Sequence, residues 1–288
     1  MANEETVVVK ESKTVDLVQA RIDKYMDQGL LTLPPNYNAP NALKSAWLII
    51  QETLDMNKKP ALEVTTAVSQ ANALLNMVLQ GLDPAKKQCY FIVYGNKLIM
   101  QPSYFGRMHT AKIVDPKIAD IFGDVVYNDD VFVYEKKLGK TQIVKHEQQI
   151  DNVDKQKIKA AYGVIVYTDG THRAEVMTIA EIKAAWMKSK VNPVDENGNI
   201  KPGSTHGQYT ADMCRKTVIS KVCKYVINSS DDSSLIVRSY KDTEAEITDA
   251  EVAEDIAESA NKETLTIEAP DETPNAPCAE KPVVDDLP

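Results

Sequence analysis

The chain has little of what catalysis or metal binding usually requires. Its four cysteines (Cys89, Cys214, Cys223 and Cys278) form no CxxC pair, and its four histidines (His109, His146, His172 and His206) are scattered. Metal sites draw ligands clustered at short spacings, so no structural zinc is expected and the thiols read as reduced and mostly buried. No apolar run reaches the roughly 18 residues of a membrane span. The opening MANEETVVVKESK has mixed charge and no apolar core, unlike a signal peptide. A cytoplasmic chain with no membrane association is the expectation. GxSxG, HExxH and paired Cys/His arrangements are all missing.

Two short runs imitate chemistry. Gly139-Lys140-Thr141 looks like the end of a phosphate-binding loop, but Tyr134 stands where that motif needs its first glycine. The residues after it read as a strand rather than the helix such a loop feeds. A hairpin turn is the better reading, which argues against an ATP-driven recombinase. The acidic pairs Asp129-Asp130 and Asp231-Asp232 could serve a nuclease, yet no lysine follows at nuclease spacing, and solvated turns explain them more simply.

The net charge of −9 argues against a polyanionic partner until it is divided. Residues 241–288 hold 15 acidic and 3 basic residues, which leaves 30 basic and 27 acidic residues in the preceding 240. The body is mildly basic and the acidity belongs to a tail.

Apolar spacing at Val15, Val18, Ile22 and Tyr25/Met26 predicts a helix that stops at Gly29. LPPNYNAP, residues 33–40, is a break. Helices are expected over 42–56, capped by Asn41, and over 65–80, ended by Gly81. A hairpin follows, with strands at 88–93 and 97–101 about Gly95-Asn96, and then a helix from Ser103 to Val114. Five β-prone runs come next, at 124–127, 131–134, 142–145, 162–167 and 173–177. Thr178 can cap a helix to Lys188, 190–207 reads as a loop, and Gln208 to Ile227 as a helix. From Thr243 onward the chain has too little to bury and is expected to be disordered, apart from a short helix near 249–260.

The segment 82–112, LDPAKKQCYFIVYGNKLIMQPSYFGRMHTAK, holds five of the eighteen aromatic residues, with Lys86, Lys87, Lys97, Arg107 and Lys112 among them. Aromatic faces that stack bases, interleaved with cations that follow phosphates, suit single strands. A hairpin with one core face and a charged rim fits the same composition. Strand alternation puts Tyr90, Ile92 and Tyr94 on one face and Cys89, Phe91 and Val93 on the other.

Several motifs in order resemble the RecT recombinases of phages and prophages. They are Gly81-Leu82-Asp83-Pro84, then YFIVYGNKLIM, then Gln101-Pro-Ser-Tyr104-Phe-Gly106, and late in the chain Met213-Cys-Arg215-Lys216-Thr217-Val218 with Lys221 and Lys224. Thr178-Ile-Ala-Glu-Ile-Lys183 is similar to a helix start of that family, and the resemblance spans roughly 40–235. It departs at Phe105, where many members carry lysine. The resemblance implies an α+β fold with small antiparallel sheets and hairpins packed on helices, a Red-beta-like annealing core. The expected divisions are an N-terminal arm and helix at 1–38 that contacts another subunit, a core at 39–237, and a disordered acidic tail at 238–288.

What the resemblance implies about function is binding of single-stranded DNA and annealing of complementary strands in phage homologous recombination, without ATP and without catalytic turnover. The implied DNA-binding residues are Lys87, Tyr94, Lys97, Gln101, Tyr104, Phe105, Arg107, Lys112, Arg215, Lys216, Lys221 and Lys224. Arg215 lies off the face shared by 217, 221 and 224, so a subunit contact is open to it. No cofactor is expected, Mg²⁺ at most modulating annealing. The implied partners are single-stranded DNA and the annealed duplex, further copies in a ring or filament, a phage 5′→3′ exonuclease, and the host single-stranded-DNA-binding protein, whose acidic tip the terminal Asp285-Asp286-Leu287-Pro288 resembles without its final phenylalanine. A metal-dependent nuclease, and an adaptor recruiting proteins through its tail, are the alternatives.

Overall fold

The computed structural model describes residues 2–188, 192–230 and 234–260, and side chains from 13 to 253 within them. The first half is a helical layer closed by a hairpin. Helix α1 (Ala2–Asp27) lies on α2 (Ala39–Glu52) and α4 (Ala67–Leu79), with the four-residue α3 (Ala61–Val64) between those two. The predicted stripe on α1 supplies the contact: Val18 and Ile22 are fully buried, each side chain stabilising the pairing by roughly 1.5–3 kcal/mol. The N-terminal helix thus packs on its own chain.

Two boundaries differ from the sequence reading for local reasons. Helix α2 begins before Asn41, because Asn38 is its cap, accepting from the Asn41 N–H at 2.9 Å. Pro40 sits in the first turn, where its missing N–H costs nothing. The helix also ends at Glu52 rather than Met56, since the Asp55 carboxylate accepts from the Asn57 and Lys59 N–H groups and folds 55–59 into a loop. The hairpin is as expected: β1 (Cys89–Tyr94) pairs with β2 (Lys97–Pro102) in register about Gly95, which has a φ of +56°. Cys89, Phe91 and Val93 face the helical core.

Helix α5 (Tyr104–Val114) leads into a five-stranded antiparallel sheet of β3 (Ile118–Tyr127), β4 (Val131–Lys137), β5 (Lys140–Glu147), β6 (Ile158–Tyr167) and β7 (His172–Thr178). All five predicted β runs are present, in the order β3-β6-β7-β5-β4. Leu138-Gly139 forms the tight turn between β4 and β5, and Lys140 opens a strand, so the phosphate-loop imitation is a hairpin. Helix α6 (Ile179–Met187) starts at a capping box between Thr178 and Glu181. The short α7 (Thr205–Gln208) precedes α8 (Thr210–Ser229), which lies across β3, β6 and β7.

The seat for α8 is a cross-strand pair of glycines, Gly123 on β3 and Gly163 on β6. A Cβ on Gly163 would stand 2.8 Å from the Val218 carbonyl oxygen, and one on Gly123 would stand 2.9 Å from Ile219 Cγ1. The helix backbone therefore rests on the sheet backbone, and Val218, Val222, Cys223 and Val226 are buried around the contact. The Cys223 thiol is pushed up to about 12 by that burial.

One expectation fails. Disorder was expected from residue 238 apart from a short helix near 249–260, but α9 (Leu235–Ala260) is helical from Leu235 and docks on the body. Val237, Tyr240 and Ile247 are buried, and a polar seam joins α9 to α4. In it Gln80 Nε2 donates to Ser239 Oγ at 3.3 Å and to Thr243 Oγ1 at 3.1 Å, and Ser239 Oγ donates to Asn76 Oδ1 at 3.1 Å. The expectations placed on 261–288, including Cys278 and the Asp-Asp-Leu-Pro terminus, lie outside the described residues.

Substituting Gly163→Ala should cost roughly 1–3 kcal/mol, because the atom it meets is helix backbone and cannot rotate away. Gly203→Ala, with nothing within 4 Å of its Cβ, should change stability by less than about 0.5 kcal/mol. Urea midpoints measure both, and equal losses would contradict the seat.

Candidate nucleic-acid interface

The outward side of α8 presents Lys216, Thr217, Ser220, Lys221 and Lys224 at spacings of three and four, one face of a helix. These line an open furrow with Arg107 from α5 and Trp186 from α6. A second depression shares Lys221 and Lys224 and continues to Tyr225 and Asn228, so the furrow follows the helix for more than two turns. Its wall is fixed by bonds: Trp186 Nε1 donates to Thr217 Oγ1 at 2.8 Å, and Thr217 in turn donates to the Met213 carbonyl.

Aromatic rings lie at both ends. At one, Tyr104 and Phe105 stand with ring centroids 4.0 Å apart, and the Lys216 ammonium lies 5.8 Å from the Tyr104 centroid. Phe105 remains 45% exposed. At the other end the Arg173 guanidinium covers the exposed Tyr225 ring at 3.3 Å, a cation–π contact. Arg173, Trp186 and Tyr225 were not anticipated as site residues. Tyr225 follows Lys221 by four positions, so the helical face already contained it, whereas Arg173 reaches the furrow only through the pairing of β7 with β6.

Arg107 and Lys224 are joined by α9. The Glu244 carboxylate receives Arg107 Nη2 at 2.8 Å through one oxygen and Lys224 through the other, and Arg107 Nε also donates to the Tyr240 hydroxyl at 3.2 Å. Burial opposes the charge of both partners in this cluster. For Glu244 that penalty is outweighed by Arg107 and Lys224, and its carboxyl is held below the usual range. For Arg107 it is outweighed by Tyr240 and Glu244, and the guanidinium is held more firmly protonated.

The remaining candidates are dispersed. Tyr94 is buried between Ile99 and Ile247 of α9. Lys97 is exposed at the hairpin tip, and its charge only partly offsets the burial that pushes the Glu246 carboxyl on α9 up. Gln101 lies opposite Tyr90 in the hairpin. Lys87 is exposed in a left-handed turn with a φ of +56°. Lys112 is held away from the furrow by the Ala119 carbonyl and Asp120. Arg215 lies off the furrow's face and engages Asp124 at 3.3 Å and Asp212 at 2.9 Å in its own chain. Of the acidic pairs, Asp130 accepts from the Tyr127 N–H, Gln148 and Asn152, which makes it the staple of a turn. Asp231-Asp232 lies outside the described residues.

The model of the RecT family matches residues 40–258. The chain belongs to the RecT family. Members are single-strand annealing recombination proteins that bind single-stranded DNA and are generally non-catalytic. A comparison with curated proteins finds no match. The match extends through most of α9 and leaves out α1. No helix among the described residues is long and apolar enough to cross a membrane.

The RecT motif residues divide between scaffold and surface. In Gln101-Pro-Ser-Tyr104-Phe-Gly106, Ser103 caps α5 by accepting from the Gly106 N–H and donates to the Lys87 carbonyl. A Cβ on Gly106 would stand 2.1 Å from the Gln88 carbonyl oxygen, so only glycine fits. Tyr104 and Phe105 are the residues this turn presents to the furrow. Likewise Thr217 and Val218 hold Trp186 and the glycine seat, and Lys216 is left to the surface.

Arg107→Ala should destabilise the fold by roughly 2–3 kcal/mol, below the 3–5 kcal/mol of a fully buried pair because Lys224 still faces Glu244. Lys216→Ala should change stability by less than about 0.5 kcal/mol. Thermal melts of the two variants separate these outcomes, and equal stability would mean that the Arg107 pair contributes nothing.

Proposed function

We propose that this protein binds single-stranded DNA along the α8 furrow and anneals it to a complementary strand without ATP. The supporting observation is the row Lys216, Lys221 and Lys224 with Arg107 on one open face, bounded by Tyr104-Phe105 and by Tyr225. Cations at this spacing neutralise consecutive phosphates and release counterions, while exposed rings give bases a sequence-tolerant stacking surface. Two polyanions repel, so neutralising one and holding it extended lowers the barrier to pairing. Base pairing then supplies the specificity.

In this reading the protein acts in phage homologous recombination as a homo-oligomer, a ring or filament in which the furrows of neighbouring copies align. A 5′→3′ exonuclease supplies the single strand, and the host single-stranded-DNA-binding protein is a further partner. Mg²⁺ would modulate annealing by screening phosphates, not by chemistry.

The test is annealing of complementary oligonucleotides with no nucleotide present. Annealing should proceed without cleavage, and affinity should fall steeply with salt. Each of Lys216→Ala and Lys221→Ala should weaken all sequences alike and reduce the slope of log affinity against log salt by about 0.7. A flat salt profile, or strand cleavage in Mg²⁺, would overturn the proposal.

A further inference from the structure

Helix α9 lies against the parts of the candidate site that DNA would need most. Glu244 bridges Arg107 and Lys224, and Ile247 packs with Tyr94. Three of the twelve candidate residues are thereby engaged by one helix. That helix carries eight acidic and two basic residues over 235–260.

A carboxylate that takes an arginine with one oxygen and a lysine with the other offers these cations the same paired acceptors that a phosphate would. Both ligands use charge-assisted bonds that a phosphodiester would also accept. The helix is also held in a way that permits release. Its buried apolar side chains are few (Val237, Tyr240 and Ile247), and its seam with α4 consists of side-chain hydrogen bonds among Asn76, Gln80, Ser239 and Thr243. Those groups find equivalent partners in water, and beyond Tyr240 the described residues of α9 bury one apolar side chain, Ile247, so release of that stretch exposes little apolar surface while Val237 and Tyr240 stay seated, the property of segments that open locally.

We propose that α9 is a built-in competitor of the DNA strand. Its Glu244 carboxylate occupies a phosphate position between Arg107 and Lys224, and full engagement of a strand requires α9 to leave that end of the furrow. This rests on the furrow being the DNA-binding surface. Without DNA, α9 satisfies two cations and shields Tyr94. With DNA, phosphates replace Glu244, and the hairpin face bearing Tyr94 and Lys97 joins the binding surface. The exchange makes net binding weaker than the furrow alone would give, and it couples occupancy to the position of α9.

Two measurements on the full-length chain test this, with oligo-dT as the probe. Glu244→Gln should bind oligo-dT about three- to tenfold more tightly at low salt, with a slope against log salt steeper by about 0.7–1.4 as one or two more cations meet phosphate. Hydrogen exchange of the unaltered protein guards against a variant that fails to fold. On adding oligo-dT the amides of 240–250 should lose protection while those of α8 keep or gain it. If Glu244→Gln binds no more tightly, or α9 stays protected in the complex, the competitor role is overturned while the furrow stands, provided that Lys216→Ala and Lys221→Ala still weaken binding. If the unaltered protein binds no oligo-dT, both readings fall.

Discussion

The contact of α8 with the glycine pair Gly123–Gly163 constrains the rest of the molecule. A helix normally stands off a sheet by the length of its side chains, but here Val218 presents its carbonyl directly to the sheet backbone. Close approach fixes the roll of the helix about its axis as well as its height. Once Val218, Val222 and Val226 point inward, a period of 3.6 leaves Lys216, Ser220, Lys221 and Lys224 no direction but outward. The cations of the furrow are thus ordered by a packing requirement on the other side of the same helix. Trp186 adds a second restraint through Thr217, a residue of the seat's own turn.

The second organising interaction is the Arg107–Glu244–Lys224 cluster. Ion pairs that are partly buried stabilise little beyond what they lose in desolvation, so such a cluster is a poor glue for a helix. It is a good latch, because its energy can be exchanged almost evenly for another anion. The polar seam at Asn76, Gln80, Ser239 and Thr243 has the same character. The helix is positioned by contacts that have ready substitutes.

Much of the fold was legible in the sequence because its punctuation is local. Gly95, Gly139 and Gly170 each adopt a positive φ at a turn, and Thr178 with Glu181 announces α6. Asn38 and Pro40 misled only because a proline in the first helical turn reads as a break until its cap is identified. The docked first half of helix α9, before the short helix anticipated near 249–260, was missed for a different reason. Periodicity arguments count apolar side chains, and two of its buried positions are Ser239 and Thr243. Nothing in residues 238–260 reveals that Asn76 and Gln80, about 160 positions earlier, complete their hydrogen bonds. The furrow was half legible. Lys216, Lys221 and Lys224 share a helix and could be grouped by spacing. Tyr94, Lys97 and Arg107 belong to a neighbourhood defined by α9, which spacing could not supply.

Charge illustrates the same limit. Dividing the chain into a basic body and an acidic tail removes the objection raised by the net charge, but it treats the tail as remote. At physiological ionic strength a charge is felt over about 8 Å. By that measure the acids of the tail are not equivalent. Glu244, in contact with Arg107 and Lys224, cancels binding charge directly, whereas burial pushes the Glu246 carboxyl up. The effective charge of the furrow is therefore set by one or two carboxylates and by whether α9 is docked. Neither the chain total of −9 nor the segment sums determine it. For a polyanion arriving at the furrow, docking of this helix is the difference between meeting a row of four cations and meeting one in which Arg107 and Lys224 already share a carboxylate.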